Sequence, residues 1–306
     1  MKKKGIIERL VMGKKRDKDL TENDLPSTRF KQFAFVFRTR FGVIFRLNLI
    51  SALFFLPFMA WDILAGGYAA DFVAGMTAEE RFSHLIYLTL LQYGTEIPLL
   101  MLGFSGLAGI YYAVRRVCWG QSVKIFADFG KGLKQSFVQF MLLGLMTGVI
   151  NLIVNYFVQF VLITSESADA LLWALALTIV LLLAVIWAIV LMFALAQSSL
   201  YTLSFPKLLL NSFMFTFKRL FKSLAVCFIA LLPLLVFAFM PWLIARIIGC
   251  CTAIVFSIGF AVTVQTVYCH GVFDKFINEK SYPDFVGMGL AGAKDITEAG
   301  GEAEEQ

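Results

Sequence analysis

Amide side chains recur on one face of an apolar segment in the middle of the chain. Asn151, Asn155 and Gln159 follow one another at intervals of four residues, which places them on one side of a helix. Hydrocarbon offers no hydrogen-bond partners, so buried amides must find them within the protein or in a wet cavity. The stripe therefore predicts either hydrogen bonding between helices or a polar lining for a solute path. Gln265 ends a second row of small residues at four-residue spacing, and it could meet this stripe.

Two charged residues, Arg46 and Glu96, fall within or at the edge of apolar segments. Intramembrane charges are functional candidates by default. Arg46 lies about one turn from the expected inner boundary, so its side chain can extend to the lipid headgroups. Glu96 lies at the start of an expected helix, where the helix dipole favours an acid. As a buried carboxylate, Glu96 could instead bind a cation or carry a proton.

Residue patterns typical of enzymes and metal sites are scarce. The two histidines cannot form an HExxH motif, no Walker-type loop is present, and the five cysteines lack ligand spacing. Ser105 and His270 match the nucleophile and base of rhomboid-like proteases by residue type. However, Ser105 lies about 15 Å along a helix from the boundary at Arg115, whereas His270 is expected near that boundary. The sequence thus predicts no enzymatic activity, metal or cofactor.

The elements that must position these residues are membrane-spanning helices. Of the 306 residues, 59% are hydrophobic and 16% are charged, whereas soluble domains have about 45–50% and about 25%. Several apolar runs have the length of about 20 residues that crosses a bilayer. We therefore predict an all-α polytopic membrane domain at residues 29–280. Its six transmembrane helices are expected at about residues 42–62, 95–114, 138–162, 170–196, 223–243 and 247–268.

A basic, aromatic segment precedes the first, third and fifth predicted spans. Each segment has apolar residues at helical spacing and a base eight positions after the first of them. The three sets are Phe30, Phe33, Phe37 and Phe41 with Arg38; Phe126, Phe129, Leu133 and Phe137 with Lys134; and Leu210, Phe213, Phe217 and Phe221 with Lys218. We call them the three basic–aromatic segments. Their pattern predicts three hairpins, each preceded by an amphipathic interfacial helix that binds anionic lipid headgroups. Arg115 and Arg116, which close the second span, belong to the same interfacial set.

Lysine and arginine are concentrated in every second connection. All 27 of them lie on the predicted inner side except Arg46, Arg81 and Arg246. Because cytoplasmic loops attract these residues, we predict a multi-pass cell-membrane protein with both termini in the cytoplasm. Residues 1–28 are then a basic cytoplasmic leader rather than a nucleic-acid-binding arm. Residues 281–306 are expected to be a disordered cytoplasmic tail.

The residues around the end of the second span resemble a known family. A glycine- and alanine-rich span ends in tyrosine or valine followed by arginine, and a polar turn then leads to a helix with the pattern D-F-x-x-x-x-K. The matching residues are Gly106, Tyr112, Arg115, Asp128, Phe129 and Lys134. The run FRTRFGVIFRLNLISALFFLP is similar to the opening span of the same family, the YesL-like bacterial membrane proteins (domain of unknown function 624). The resemblance covers most of residues 30–280 and implies a plasma-membrane protein linked to carbohydrate uptake and use, without assigned catalytic or binding residues.

Two classes of function are consistent with these patterns. The amide stripe, a helix kink at Pro233 and the family resemblance predict a transport-associated protein. It would be a small-solute permease or an accessory to carbohydrate uptake. The alternative is a scaffold or regulator that acts through its basic amphipathic helices. Possible partners are transporter subunits or a second copy of the chain.

Overall fold

Long α-helices form most of the protein. The structure is a computed structural model and describes residues 25–164, 169–238 and 243–291. Its helices are α1 (Arg29–Val73), α2 (Ala78–Thr89), α3 (Thr95–Cys118), α4 (Ile125–Ile163), α5 (Ala170–Ser198), α6 (Phe205–Lys218), α7 (Leu220–Ala238), α8 (Leu243–Thr252), α9 (Ile258–Phe273) and the one-turn α10 (Glu279–Ser281). Wider π-helical turns join three pairs of helices: Leu90–Gly94, Ala253–Ser257 and Asp274–Asn278. The described residues contain no strand, which confirms the all-α prediction.

Several helical stretches are long and apolar enough to cross a membrane. Within the described residues, five stretches qualify by length and composition: Arg29–Val73, Ala78–Cys118, Ile125–Ile163, Ala170–Ser198 and Ile247–Ser281. A shorter apolar helix, Leu220–Leu234, corresponds to the predicted fifth span. Residues 239–242, near the end of that span, lie outside the described residues. The chain is therefore a membrane-embedded helical protein.

Two of the three basic–aromatic segments continue into the next span without a break, which differs from the prediction. α1 has 45 residues and is roughly 68 Å long, more than twice the thickness of the hydrocarbon core. The segments at 30–41 and 126–137 are thus the first turns of α1 and α4, since no proline or cap interrupts them. Most of the third segment forms a separate helix, α6, because Arg219 leaves the helical conformation (φ −136°, ψ 28°), and its last member, Phe221, lies on α7.

The connection between the first two predicted spans, residues 63–94, is helical over most of its length. α1 continues to Val73, and the chain then turns at Gly75, whose φ of +83° suits glycine. α2 begins with a capping box: Thr77 Oγ1 accepts from Glu80 N at 3.3 Å, and Glu80 Oε2 accepts from Thr77 N at 2.7 Å. The turn Leu90–Gly94 then joins α2 to α3, so this connection extends the second span.

α3 lies at the centre of the bundle and packs against α1, α4 and α9. Its small residues allow this close approach. A Cβ atom at each of three glycines would lie 2.6 to 2.7 Å from an aromatic ring or its Cβ: Gly103 against Phe55, Gly106 against Phe54 and Gly109 against Phe129. Packing of this kind, rather than removal of apolar surface from water, holds helices together in lipid.

The start of α1 and the end of α3 meet the α5–α6 connection and the turn after α9 at one end of the bundle. Gln32 Nε2 donates to Cys118 O at 2.7 Å, and Arg115 donates to the carbonyl of Ser199. Tyr201 Oη donates to Asn278 Oδ1 at 2.6 Å. We call this the basic end, because the three basic–aromatic segments begin there. The opposite end, where α1 meets α2 and α4, is called the cavity end.

The first part of the predicted disordered tail is ordered. Arg29 forms an ion pair with Asp274 and donates to Met288 O at 2.9 Å. Ala291 N donates to Pro26 O at 3.1 Å, which ties the tail to the residues before α1. Residues 281–291 are therefore part of the packed basic end, and the prediction of disorder was wrong for them. The remainder of the tail (292–306) and residues 1–24 of the leader lie outside the described residues.

Candidate functional site

One acid and three amides form a polar row along α3 and α4. Asn151 Nδ2 donates to Glu96 Oε2 at 2.8 Å. Asn155 Nδ2 donates to Asn151 Oδ1 at 3.0 Å and to Asn151 O at 2.9 Å. Gln159 follows one turn further along α4, and its side chain is exposed. We call Glu96, Asn151, Asn155 and Gln159 the polar ladder.

The inner end of the polar ladder is a buried carboxyl. Glu96 is 1% exposed, and its Oε1 atom has no hydrogen-bond partner among the described residues. Asp62 on α1 directly follows Trp61, whose side chain is hydrogen-bonded to the carbonyl of Gln92, one turn before Glu96. Burial of a carboxylate costs free energy unless it is paired and hydrogen-bonded. The ladder therefore starts at an incompletely satisfied acid beside a second acid.

The outer end of the polar ladder opens into a cavity of about 570 Å³ at the cavity end. The ends of α1 and α4, together with α2 and the turn after it, form the walls. Polar side chains from these elements line it: Arg81, Thr89, Gln92, Tyr93 and Gln159. A volume of this size suits a small molecule, since ligand pockets usually enclose about 300–1,000 Å³.

The π turn Leu90–Gly94 links the cavity to Glu96. The carbonyl of Gln92, one turn before Glu96, accepts from Trp61 Nε1 at 3.1 Å and from Thr95 Oγ1 at 3.0 Å. Trp61 precedes Asp62, so this hydrogen bond fixes the stretch of α1 that carries the second acid. Single π turns within helices occur frequently at functional sites.

Gln265 does not belong to the polar ladder, so the expected meeting of the two rows was wrong. Its side chain accepts a hydrogen bond from Tyr111 Oη on α3. Tyr111 follows Glu96 by about 15 residues, which is roughly 22 Å along a helix. Gln265 therefore joins α9 to α3 far from the cavity. Arg46 lies exposed on α1, also outside the ladder.

Asn48 is a structural polar residue that the sequence did not single out. It is 1% exposed, and its Nδ2 donates to the carbonyls of Ala253, at 3.3 Å, and Ile254. Its Oδ1 accepts from Gly259 N at 2.6 Å. Asn48 thus joins α1 to backbone groups in and just after the π turn before α9. The only signal in the sequence was a polar residue within an apolar helix.

Three of the predicted interfacial residues instead hold the bundle together. Phe129 is 5% exposed and fills the notch at Gly109. Arg116 forms an ion pair with Asp128, whose other oxygen accepts from Lys124 N at 2.7 Å. The guanidinium of Arg115 lies over two aromatic rings, at 4.5 Å from the Tyr112 centroid and 5.0 Å from the Trp119 centroid. These contacts assign Phe129, Arg115 and Arg116 to packing.

The remaining interfacial residues differ in exposure. Phe37 packs in an aromatic cluster whose other members are Phe33, Phe41, Phe256 and Phe260, at centroid distances of 4.7 to 6.3 Å. Arg38, Lys134 and Lys218 are all exposed, and Phe217 is 64% exposed. The bases of the three segments are thus exposed to lipid. Phe37 instead packs between α1 and the residues of α9 and the π turn before it.

Ser105 and His270 do not form a catalytic pair. Ser105 Oγ donates to Leu102 O at 2.6 Å. Neither imidazole nitrogen of His270 has a hydrogen-bond partner among the described residues, and the ring lies 6.0 Å from that of Trp119. In the described part of the chain, no three histidine, cysteine, aspartate or glutamate side chains form a group that could hold a metal ion.

Fold and site together define the class: an all-α membrane protein with a polar row that leads from a buried acid to a cavity. Comparison of the chain with protein-family models, with curated proteins and with solved structures found no match. The similarity to YesL-like proteins therefore stays a prediction from the sequence.

Proposed function

We propose that the chain is a multi-pass plasma-membrane protein that transports a small polar solute. The observation that carries this proposal is the continuity of the polar ladder with the cavity through Gln159. Polar groups in membrane helices face the protein interior or water, and they mark solute paths. Amides both donate and accept hydrogen bonds, as solute hydroxyl groups do. A carbohydrate solute would also agree with the resemblance to YesL-like proteins. The same features fit an accessory subunit that passes a solute to a transporter.

The distribution of charge supports an orientation for this path. Most basic side chains belong to segments at the basic end, whereas the cavity end has Arg81 in the cavity wall. The preference of lysine and arginine for the cytoplasmic side then directs the cavity outward and both termini inward. The solute would thus enter from the cavity end. No residue is assigned a catalytic role.

Loss of the two asparagine amides tests the transport proposal. We expect Asn151→Leu/Asn155→Leu to lower solute flux by about tenfold or more, because each lost polar contact costs on the order of 1 kcal/mol and the two residues act in series. The measurement is uptake of radiolabelled glucose, galactose, maltose and sucrose by liposomes containing the full chain.

Thr178→Leu is the matched control for this experiment, because it also replaces a polar side chain by leucine but on an exposed face of α5. Flux through this variant should equal that of the unmodified protein. The permease role is rejected if none of the four sugars enters. It is also rejected if the double variant transports them as fast as the control.

A second function, as a lipid-binding scaffold, is favoured by the exposed bases of the basic–aromatic segments. Arg38, Lys134 and Lys218 are all exposed, and the apolar row of the third segment is exposed with them. Its members are Leu210 at 63%, Phe213 at 39%, Phe217 at 64% and Phe221 at 85%. Such a row can enter the headgroup boundary while the bases contact phosphates.

Neutralisation of the three bases tests the scaffold function. We expect Arg38→Gln/Lys134→Gln/Lys218→Gln to lose most of the phosphatidylglycerol that remains bound to the purified protein, because each base near the surface contributes about 1 kcal/mol. Native mass spectrometry counts the bound lipids. Arg81→Gln, which removes a base at the cavity end, should leave that count unchanged. Equal lipid counts in the triple variant and the control would contradict the scaffold function.

A further inference from the structure

We propose that Glu96 and Asp62 form a proton-binding site that couples solute movement to proton movement. The coupling role rests on the transport function proposed above, whereas proton binding by this pair does not. The site lies at the inner end of the polar ladder, where α1, α3 and α4 meet.

The geometry leaves one carboxyl oxygen of Glu96 open to a proton. Asn151 occupies Oε2 at 2.8 Å, while Oε1 is buried without a partner among the described residues. The side chain is 1% exposed, so bulk water does not solvate this oxygen. A buried carboxylate oxygen without a donor is unfavourable, and protonation removes its charge.

A second carboxyl beside Glu96 strengthens this preference. The hydrogen bond from Trp61 Nε1 to Gln92 O brings the neighbouring Asp62 to the turn that precedes Glu96, and two neighbouring carboxylates in an apolar setting rarely ionise together. From α4, the hydrogen-bonded side chains at this site are Asn151 and Asn155, which are uncharged. Towards α2, the charged and titratable groups are Arg81 and Tyr93, which line the cavity.

The number of oxygen ligands favours a proton over a divalent cation. Calcium requires about six to eight oxygens and magnesium about six. Here Glu96 offers one open oxygen, Oε1, and Asn151 Oδ1 already accepts from Asn155 at 3.0 Å. A proton needs only one oxygen.

In the coupling step, a hydronium ion from the cavity gives its proton to Glu96, which leaves water and a neutral carboxylic acid. Release returns that proton to water.

Infrared difference spectroscopy tests proton binding directly. For the full chain in lipid nanodiscs, we expect a protonated-carboxyl band that titrates with pH and shifts in heavy water. Glu96→Gln should remove this band. Asp62→Asn should weaken it at a given pH, because the neighbouring negative charge is lost. Glu80→Gln, the same exchange at an exposed capping residue, should leave the band unchanged.

The possible outcomes separate this inference from the transport function. A band that persists in Glu96→Gln, or the absence of a titrating band in the unmodified protein, overturns the proton site even if sugars cross the liposomes. A band lost only in Glu96→Gln establishes the site even if no sugar crosses. Size-exclusion chromatography of each variant confirms that a lost band does not reflect unfolding, and Asp62→Asn gives an independent result if Glu96→Gln is unstable.

Discussion

Replacement of Gly132 by leucine should destabilise the protein by about 3 kcal/mol or more, because it forces two central helices apart. A Cβ atom at Gly132 would lie 2.7 Å from the backbone oxygen of Ala108 and would overlap the Cβ of Tyr112 on α3. Neither atom is the end of a flexible side chain, so rotation of a side chain cannot relieve the overlap. α3 packs against three other helices, and its displacement would disturb all of them.

Gly130→Leu is the matched control for this replacement. Gly130 lies two positions earlier on the same helix, and a Cβ there would meet nothing within 4 Å. Both exchanges raise helix propensity by a similar amount, so the difference between them isolates packing. Thermal unfolding of the two purified variants in the same detergent measures this difference. Equal melting temperatures would show that α3 and α4 are not in the described contact.

The face of α4 that carries the ladder amides could be predicted from the sequence, but its partner could not. A helical period assigns Asn151 and Asn155 to one side of one helix. It contains no information about which other helix lies opposite. Glu96 is 55 positions away from Asn151 along the chain, and only the packing of α3 on α4 brings the two together. The ladder therefore became visible as a site only in three dimensions.

The three basic–aromatic segments illustrate a different limit. Their residue types are equally suited to a lipid surface and to a helix interface. Phe129 is buried because Gly109 offers a notch of the right shape, whereas Phe217 has no such neighbour and is 64% exposed. Likewise, Arg116 has Asp128 as a partner, while Lys134 is exposed. The distinction depends on the opposite surface, which a pattern within one segment does not describe.

Apolar periodicity predicted where helices occur, but not where they end. The first basic–aromatic segment and the following span have the same helical period, and no proline lies between Phe41 and the span. Continuation of the helix retains every backbone hydrogen bond, so α1 does not break there. At Arg219, by contrast, the helix stops even though the surrounding residues favour a helix. Tertiary contacts decide such boundaries.

Asn48→Leu should lower the free energy of unfolding by about 3 kcal/mol or more. Leucine has a similar size but cannot donate to the carbonyls of Ala253 and Ile254 or accept from Gly259 N. Each buried backbone group left without a partner costs about 1–3 kcal/mol. Membrane hydrocarbon supplies no substitute partner. The π turn Ala253–Ser257 should then rearrange, and α9 should lose its alignment with α1.

Hydrogen exchange followed by mass spectrometry tests this prediction at the backbone groups that Asn48 contacts. The amide of Gly259 and its neighbours should exchange much faster in Asn48→Leu, while peptides of α4 should keep their rates. Asn211→Leu, the same exchange at a half-exposed position on α6, should alter neither stability nor exchange around Gly259. If exchange at 253–259 were the same in both variants, Asn48 would not hold the π turn. The strength of the α1–α9 contact would then have to come from the aromatic cluster around Phe37, which joins the same two regions through Phe256 and Phe260.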